Sequence, residues 1–215
     1  MTAKASVVKP ANGGLELRQR RKLLDQDPIS AFRHLFRRAE RAGVPQPDAM
    51  VLATAGPRAR VSARFVLLKQ LDDRGFVFYT DTRSRKGNDL KRNPSAAAVF
   101  YWYPLRVQVR IEGHVEPVSP AEADQYWSSR PRESQLGATV SKQSARLASR
   151  KTLLAEFAAI QRRLKGKTVP RPSYWTGFRI VPELIEFWTA RQHRLHHREL
   201  FIRSRGKWHK RLLYP

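Results

Sequence analysis

Residues 61–80 read Val61-Ser62-Ala63-Arg64-Phe65-Val66-Leu67-Leu68-Lys69-Gln70-Leu71-Asp72-Asp73-Arg74-Gly75-Phe76-Val77-Phe78-Tyr79-Thr80, and this stretch decides the fold. Two runs rich in β-branched and aromatic residues flank Asp72-Asp73-Arg74-Gly75, a good hairpin loop, which predicts strands over Val61–Leu71 and Phe76–Thr80. Outward from this hairpin, strand patterns recur at Met50–Ala55, Ala97–Tyr103 and Arg106–Val118. Toward the C-terminus they recur at Tyr174–Ile180, Leu184–Trp188, Glu199–Arg203 and Trp208–Leu213, the last two joined by Ser204-Arg205-Gly206. Helices are expected between them. Asp27-Pro28 supplies an N-cap and a first-turn proline, Ile29, Phe32, Leu35, Phe36 and Ala39 recur at helical spacing, and Gly43 closes the element. Ser84 caps a short helix from Arg85 to Lys91 that stops before Pro94, and Ser119-Pro120-Ala121-Glu122 is a capping box opening a further helix. Arg130 to Ser144 reads as a polar stretch. After it comes an amphipathic helix whose stripe is Leu147, Leu153, Leu154, Phe157, Ile160 and Leu164, ended by Gly166. Many antiparallel strands with a few helices between them imply an α+β protein built round a barrel.

Composition narrows the chemistry. The 215 residues contain no cysteine, which excludes disulfides, Cys-ligated metal and thiol catalysis. Residues 1–26, with Gly13-Gly14 and a basic cluster at Arg18, Arg20, Arg21 and Lys22, lack periodicity and are expected to form a flexible arm; 27–215 would be one domain. No apolar run approaches the roughly 20 residues of a membrane helix, and the N-terminus lacks a signal-peptide core, so a cytoplasmic protein without membrane contact is expected. Lys and Arg number 42 against 18 Asp and Glu, a net charge of +24. Two bound phosphates would balance only about four of those charges. The remainder is a solvated basic face, with nucleic-acid contact as the other reading.

Dinucleotide-fold, P-loop and nucleophile-elbow motifs are absent. His193, His196 and His197 cluster without an H-E-x-x-H pattern, which favours hydrogen bonding or substrate contact over a metal. Arg85 and Lys86 stand in the first turn of a helix, where free N–H groups favour an anion; the alternative is that both are merely solvated. In strand 106–112, Val107, Val109 and Ile111 share one face, and Arg106, Gln108, Arg110 and Glu112 the other. Gln108 suits the amide-like edge of a heterocycle, or is an ordinary exposed glutamine. Residues 128–135 are rich in phosphate-type donors.

Taken together, Arg64–Lys69, Phe78-Tyr79-Thr80, Ser84-Arg85-Lys86, Ser129-Arg130-Pro131-Arg132-Glu133-Ser134-Gln135, Ser141-Lys142-Gln143-Ser144, Glu186-Phe187-Trp188 and His193-Arg194-Leu195-His196 with Arg198 resemble the pyridoxine/pyridoxamine 5′-phosphate oxidase family, from about Asp27 to Pro215. The resemblance implies a mostly antiparallel split β-barrel with flanking helices, homodimeric, with FMN in clefts between subunits. It implies an FMN site of Arg64, Phe65, Val66, Leu67, Leu68, Lys69, Tyr79, Thr80, Arg85, Lys86, Gln108, Gln143, Ser144, Trp188 and Arg198. Substrate phosphate would meet Lys69, Tyr126, Arg130 and Ser134, while Arg194, Leu195 and His196 would flank the substrate ring, with Arg194 and His196 catalytic. The implied reaction oxidises phosphorylated B6 vitamers with O2. An ideal strand puts Arg64 and Lys69 on opposite faces, so a bulge or strand-end twist is required if both serve one cleft. A phenazine-biosynthesis-type flavin oxidase on the same fold, and a basic nucleic-acid-binding protein without the chemistry, are the rival readings.

Overall fold

The computed structural model describes residues 27–215; the arm expected over 1–26 lies outside them. Helix α1 (Pro28–Arg41) starts where expected, the Asp27 carboxylate accepting from the backbone N–H groups of Ile29 (3.0 Å) and Ser30 (3.1 Å). Its Phe32 is fully buried, edge-on to Phe76 and Phe100 with ring centroids 4.9 Å away in each case. That packing sets the helix into the main core.

Nine strands form one antiparallel sheet: β1 (Ala49–Ala55), β2 (Val61–Leu67), β3 (Gln70–Leu71), β4 (Phe76–Asp81), β5 (Ser95–Trp102), β6 (Val107–Pro117), β7 (Trp175–Thr189), β8 (His197–Ser204) and β9 (Lys207–Leu213). The order along the sheet is β2-β1-β5-β6-β7-β4-β3, with β8 on β7 and β9 on β8. β2 and β3 stand at opposite ends of that order yet are separated in sequence by Leu68 and Lys69 alone. The sheet must therefore roll until its ends meet. The linker bonds both sides of this seam: Leu68 N–H donates to Asp48 O beside β1, and Lys69 N–H to Val77 O in β4, each at 2.8 Å. Here the expected single strand Val61–Leu71 is corrected. It breaks at Leu68-Lys69, which supplies the change of direction that Arg64 and Lys69 required.

β7 is likewise one strand where two were expected. Its first half pairs with β4 and its second with β8, while β6 runs along both. Pro182 is tolerated because it stands at the register shift opposite Glu112/Gly113, where a missing N–H breaks no ladder bond. Gly113 is required there, since a Cβ would lie 2.0 Å from Val181 O.

Helices α2 (Arg85–Arg92), α3 (Pro120–Ser129), α4 (Arg132–Val140) and α5 (Arg150–Arg163) complete the α-helices of the described residues. The capping box at Ser119/Glu122 forms in full. α3, α4, α5 and the start of β7 enclose a second core of Trp127, Leu136, Ile160, Val169 and Trp175. α4 replaces the expected polar stretch. The α5 stripe is also corrected: Leu147 precedes the helix and is exposed, Leu154 is exposed, and only Ile160 is buried.

Candidate active site

A cavity of about 460 Å³ opens between the β2–β3 seam, β4, α2, α3 and α4. Its walls include Phe65, Val66, Leu67, Lys69, Tyr79, Thr80, Lys86, Tyr126, Arg130 and Gln143. Tyr79 stacks on Tyr126 at 4.0 Å and on Trp175 at 5.2 Å, making an aromatic wall. Burial, reinforced by the Glu122 carboxylate, pushes the Tyr79 phenol up to about 12, so it stays neutral. Arg130 lies over Trp175 (4.7 Å) and Trp127 (5.2 Å). Burial lowers its pKa, and its Nη1 is buried with no hydrogen-bond partner among the described residues. A guanidinium nitrogen so placed is a donor awaiting an anion, because leaving it unmet costs roughly 1–3 kcal/mol. Lys69 contributes an ammonium that Asp48 Oδ2 holds at 2.7 Å. Ser134 is exposed in the first turn of α4 and does not line the cavity.

A second group of cations continues from this cavity. Lys86 Nζ donates to Gln143 Oε1 (2.9 Å) and to Ser84 Oγ (3.3 Å), and Thr80 Oγ1 donates to the same Gln143 oxygen (3.0 Å). Burial first, then the Arg64 charge, bring the Lys86 ammonium down to about 8, with Asp81 opposing. Arg64 donates to Thr54 Oγ1 (2.8 Å), to Leu52 O (3.2 Å) and to Ser62 Oγ. Its pKa is lowered by burial and by Arg85, against Asp89. Arg85 N–H donates to Ser144 Oγ at 3.1 Å. Two neighbouring cations with lowered pKa values are what a site prepared for a phosphate looks like before the phosphate arrives. The α2 reading of Arg85 and Lys86 is thus drawn into one cluster with Arg64, Gln143 and Ser144. Leu68 stands apart: its side chain is buried in the main core, leaving only its backbone for the site.

The third group lies on the polar face of the C-terminal strands. Gln108 pairs with Trp188, and Trp188 with Arg198, so the three form a row across β6, β7 and β8. The His196 ring lies 4.6 Å from that of Trp188, and Arg191 N–H donates to His196 Nδ1 at 3.3 Å, which puts the neutral imidazole proton on Nε2. His193 and Arg194 both adopt left-handed φ (53° and 61°), an unfavourable pair for non-glycine residues, and Arg194 and Leu195 are exposed. None of Gln108, Trp188, Arg194, His196 and Arg198 lines the cavity that holds Arg130.

Three positioning features escape sequence reasoning. Buried Glu186 accepts from Arg198 Nε (2.7 Å) and pairs with Arg110 (3.3 Å), fixing the guanidinium beside Trp188. Asp89 Oδ2 accepts from Thr54 Oγ1 (2.9 Å) and Ser62 Oγ (3.3 Å), the hydroxyls that also hold Arg64. Trp175 backs both Arg130 and Tyr79. No motif marks Asp89 or Trp175; Glu186 stands in the Glu186-Phe187-Trp188 motif without an assigned role, and alternation places it on the face of Trp188.

Comparison with known proteins identifies the family. A family model described as pyridoxamine 5′-phosphate oxidase matches residues 36–163, and one described as the pyridoxine 5′-phosphate oxidase C-terminal dimerisation region matches 175–215. A pyridoxine/pyridoxamine 5′-phosphate oxidase of Myxococcus xanthus (strain DK1622) is 51% identical over 91% of this chain and 95% of its own. One from Thermosynechococcus vestitus is 49% identical over 92% and 95%. Among solved structures, PhzG from Burkholderia lata 383, in complex with tetrahydrophenazine-1-carboxylic acid, superposes with a TM-score of 0.85 at 33% identity, covering 90% of this chain and 96% of its own. A pyridoxamine 5′-phosphate oxidase-related, FMN binding protein of Nostoc punctiforme shares the fold with a TM-score of 0.71 at 16% identity, over 86% and 97%. With both family models matched and relatives about half identical over nine-tenths of the chain, the chain belongs to the pyridoxine/pyridoxamine 5′-phosphate oxidase family.

Proposed function

We propose that this chain oxidises pyridoxine 5′-phosphate or pyridoxamine 5′-phosphate to pyridoxal 5′-phosphate, with FMN as cofactor and O2 as acceptor. The alcohol and O2 give the aldehyde and H2O2; the amine also consumes water and releases ammonia. The observation that carries this reading is the unpartnered Nη1 of Arg130, buried over two tryptophans in a cavity shared with Lys69 and Tyr126. Such a pocket selects a small phosphorylated substrate. The rival phenazine-type oxidase fits less well, since its structural representative is 33% identical whereas the B6 oxidases reach 51%.

FMN, when bound, supplies hydride acceptance from the substrate carbon and reoxidation by O2. Arg64, Arg85, Lys86 and Ser144 hold its phosphate, with Thr80 and Gln143 orienting Lys86. Gln108, Trp188 and Arg198 meet the ring, and Glu186 keeps Arg198 in register. Lys69, Tyr126 and Arg130 bind the substrate phosphate; Ser134 reaches it if α4 tightens on binding. Arg194 fixes the substrate ring, and His196, its Nδ1 accepting from the Arg191 N–H, presents Nε2–H as a hydrogen-bond donor to the substrate's hydroxyl or amine, whose proton passes to solvent as the hydride departs. Trp188, Arg194, His196 and Arg198 fall within the matched dimerisation region, 175–215, which supports a cleft in which they meet the phosphate cations of the partner subunit. Residues 27–215 act as one FMN-binding split-barrel domain, in the cytoplasm.

The purified protein is expected to be a yellow dimer that releases FMN on denaturation. Its peroxide output should follow added pyridoxine phosphate or pyridoxamine phosphate. A colourless protein, or equal activity on unphosphorylated vitamers, refutes the reading.

A further inference from the structure

One guanidinium outside the site joins the two segments that supply the substrate-phosphate groups. Arg179 in β7 is only 1% exposed, and its Nη2 donates both to Asp72 Oδ2 (2.8 Å) and to Glu122 Oε1 (2.9 Å). Glu116 Oε1 stands 3.8 Å from its Nη1. Among the described residues its Nε is buried with no hydrogen-bond partner. Burying such a group is a poor route to stability, because desolvation offsets the attraction and an apolar side chain of similar volume often serves as well. What the guanidinium supplies instead is a fixed separation between two carboxylates. Arg74 bridges the same pair, at 3.3 Å and 3.0 Å, but from the solvent side with a 59% exposed side chain, where ion pairs contribute little.

Each carboxylate leads to the cavity. Glu122, Tyr126 and Arg130 recur every four residues along α3 and its C-cap, so they share one face of the helix. The first is tied to Arg179, the second stacks on Tyr79 at 4.0 Å, and the third lies over Trp175 at 4.7 Å. Apolar contact under the first turn of α3 is small, Val77, Val118 and Ala123 with part of Tyr79, which leaves the ionic tie to fix the rotation of the helix. Asp72 opens the β3–β4 hairpin, its Oδ1 accepting from the N–H groups of Arg74 (2.9 Å) and Gly75 (3.0 Å). Only Gln70 and Leu71 separate it from Lys69. Gly177, on the same face of β7 as Arg179, leaves room for the Tyr79 ring, since a Cβ there would be 2.7 Å from Tyr79 Cε1.

We propose that Arg179 is a positioning residue for the substrate phosphate. By bonding Glu122 and Asp72 through one nitrogen, it sets α3 and the β2–β3 seam at the separation where Arg130, Tyr126 and Lys69 close on a single phosphate. It touches neither substrate nor flavin and acts only through those three side chains. This rests on their assignment to the substrate phosphate.

The test is peroxide release by the FMN-loaded enzyme against pyridoxine phosphate concentration, with a thermal melt of each variant. R179M should raise KM about 5–20-fold, less than complete loss of a charge-assisted contact, while kcat stays within about threefold and FMN remains bound. E122Q, which puts a neutral amide in place of the charged acceptor and leaves Arg179 paired with Asp72, should raise KM at least about threefold, and it decides the matter if R179M does not fold. In an R130A background, which has already lost one of the groups so placed, R179M should add less than about threefold. A KM within about twofold of wild type in R179M, or in E122Q where R179M does not fold, overturns the proposal alone, whatever the melting temperature. A loss that falls on kcat instead of KM, or one that multiplies in full with that of R130A, overturns it as well. Wild-type protein that oxidises no phosphorylated vitamer overturns the functional reading and this inference together.

Discussion

Replacing Arg130 with Ala separates a binding arginine from a structural one, because the two roles predict opposite signs for stability. In the free protein, Nη1 is a buried donor without a partner among the described residues, a cost of roughly 1–3 kcal/mol. Its cation–π contacts over Trp175 and Trp127 return about 1 kcal/mol each. These nearly cancel, so R130A should change unfolding free energy by less than about 1 kcal/mol and the melting temperature by less than about 4 °C. Substrate binding should behave quite differently. Loss of a charge-assisted contact to phosphate costs about 1.5–3 kcal/mol, which raises KM about 10–150-fold. The phosphate is remote from the carbon being oxidised, so kcat should fall little. The assay is peroxide release against substrate concentration, alongside a urea melt of the same preparation. A variant destabilised by more than about 2 kcal/mol with unchanged KM would show that Arg130 holds the helices together and reads no phosphate.

Lys86, brought down to about 8, should lose its charge as pH rises through that value; FMN affinity then falls above pH 8 in wild type, and K86M flattens the profile. The same depression makes the apoprotein's own stability rise from about 8 toward 10.5, since the unfolded chain binds more protons there. R194A should cut turnover at least about 100-fold while FMN stays bound, checked by flavin absorbance and single-turnover reduction. Glu122 is held at about 2 by its bonds from buried Arg179 and the Ser119 N–H, so it contributes stability that is complete above its unfolded value near 4.5 and lost as pH falls toward 2. E122Q should cost about 2 kcal/mol at pH 7 after allowance for solvent screening, with the gap to wild type closing below pH 4.5 in urea titrations.

Where one local rule sets the structure, the sequence is legible. Asp27-Pro28, Ser84 and the Ser119/Glu122 box mark helix starts because capping is a contact of a residue with its own next turn. The alternation from Val107 to Glu112 gives the correct buried face because β6 has one face in the core. Helix α4 is hidden because it buries only Leu136 and turns Gly137 and Ala138 toward the cavity, so no apolar period can arise. β7 looks like two strands because Pro182 disguises a register shift that only the neighbouring strand reveals. For the candidate site, the family resemblance picks out the cations, but their arrangement depends on the rolled sheet. That Lys69 answers to Asp48, Arg198 to Glu186 and Arg64 to Asp89 through Thr54 and Ser62 involves partners far away in sequence, which no spacing rule announces.

Joining β2 to β3 through Leu68-Lys69 ties catalysis to mechanical integrity. The clasp that shuts the barrel consists of two linker residues and a two-residue strand, and one of those linker residues carries the ammonium that the proposed function assigns to the substrate phosphate. Fraying of β3 would withdraw Lys69 before any of the nine-stranded body melted. Amide exchange at Lys69 therefore reports the integrity of the pocket, and a ligand that bridges Lys69 and Arg130 would latch the cylinder as it binds.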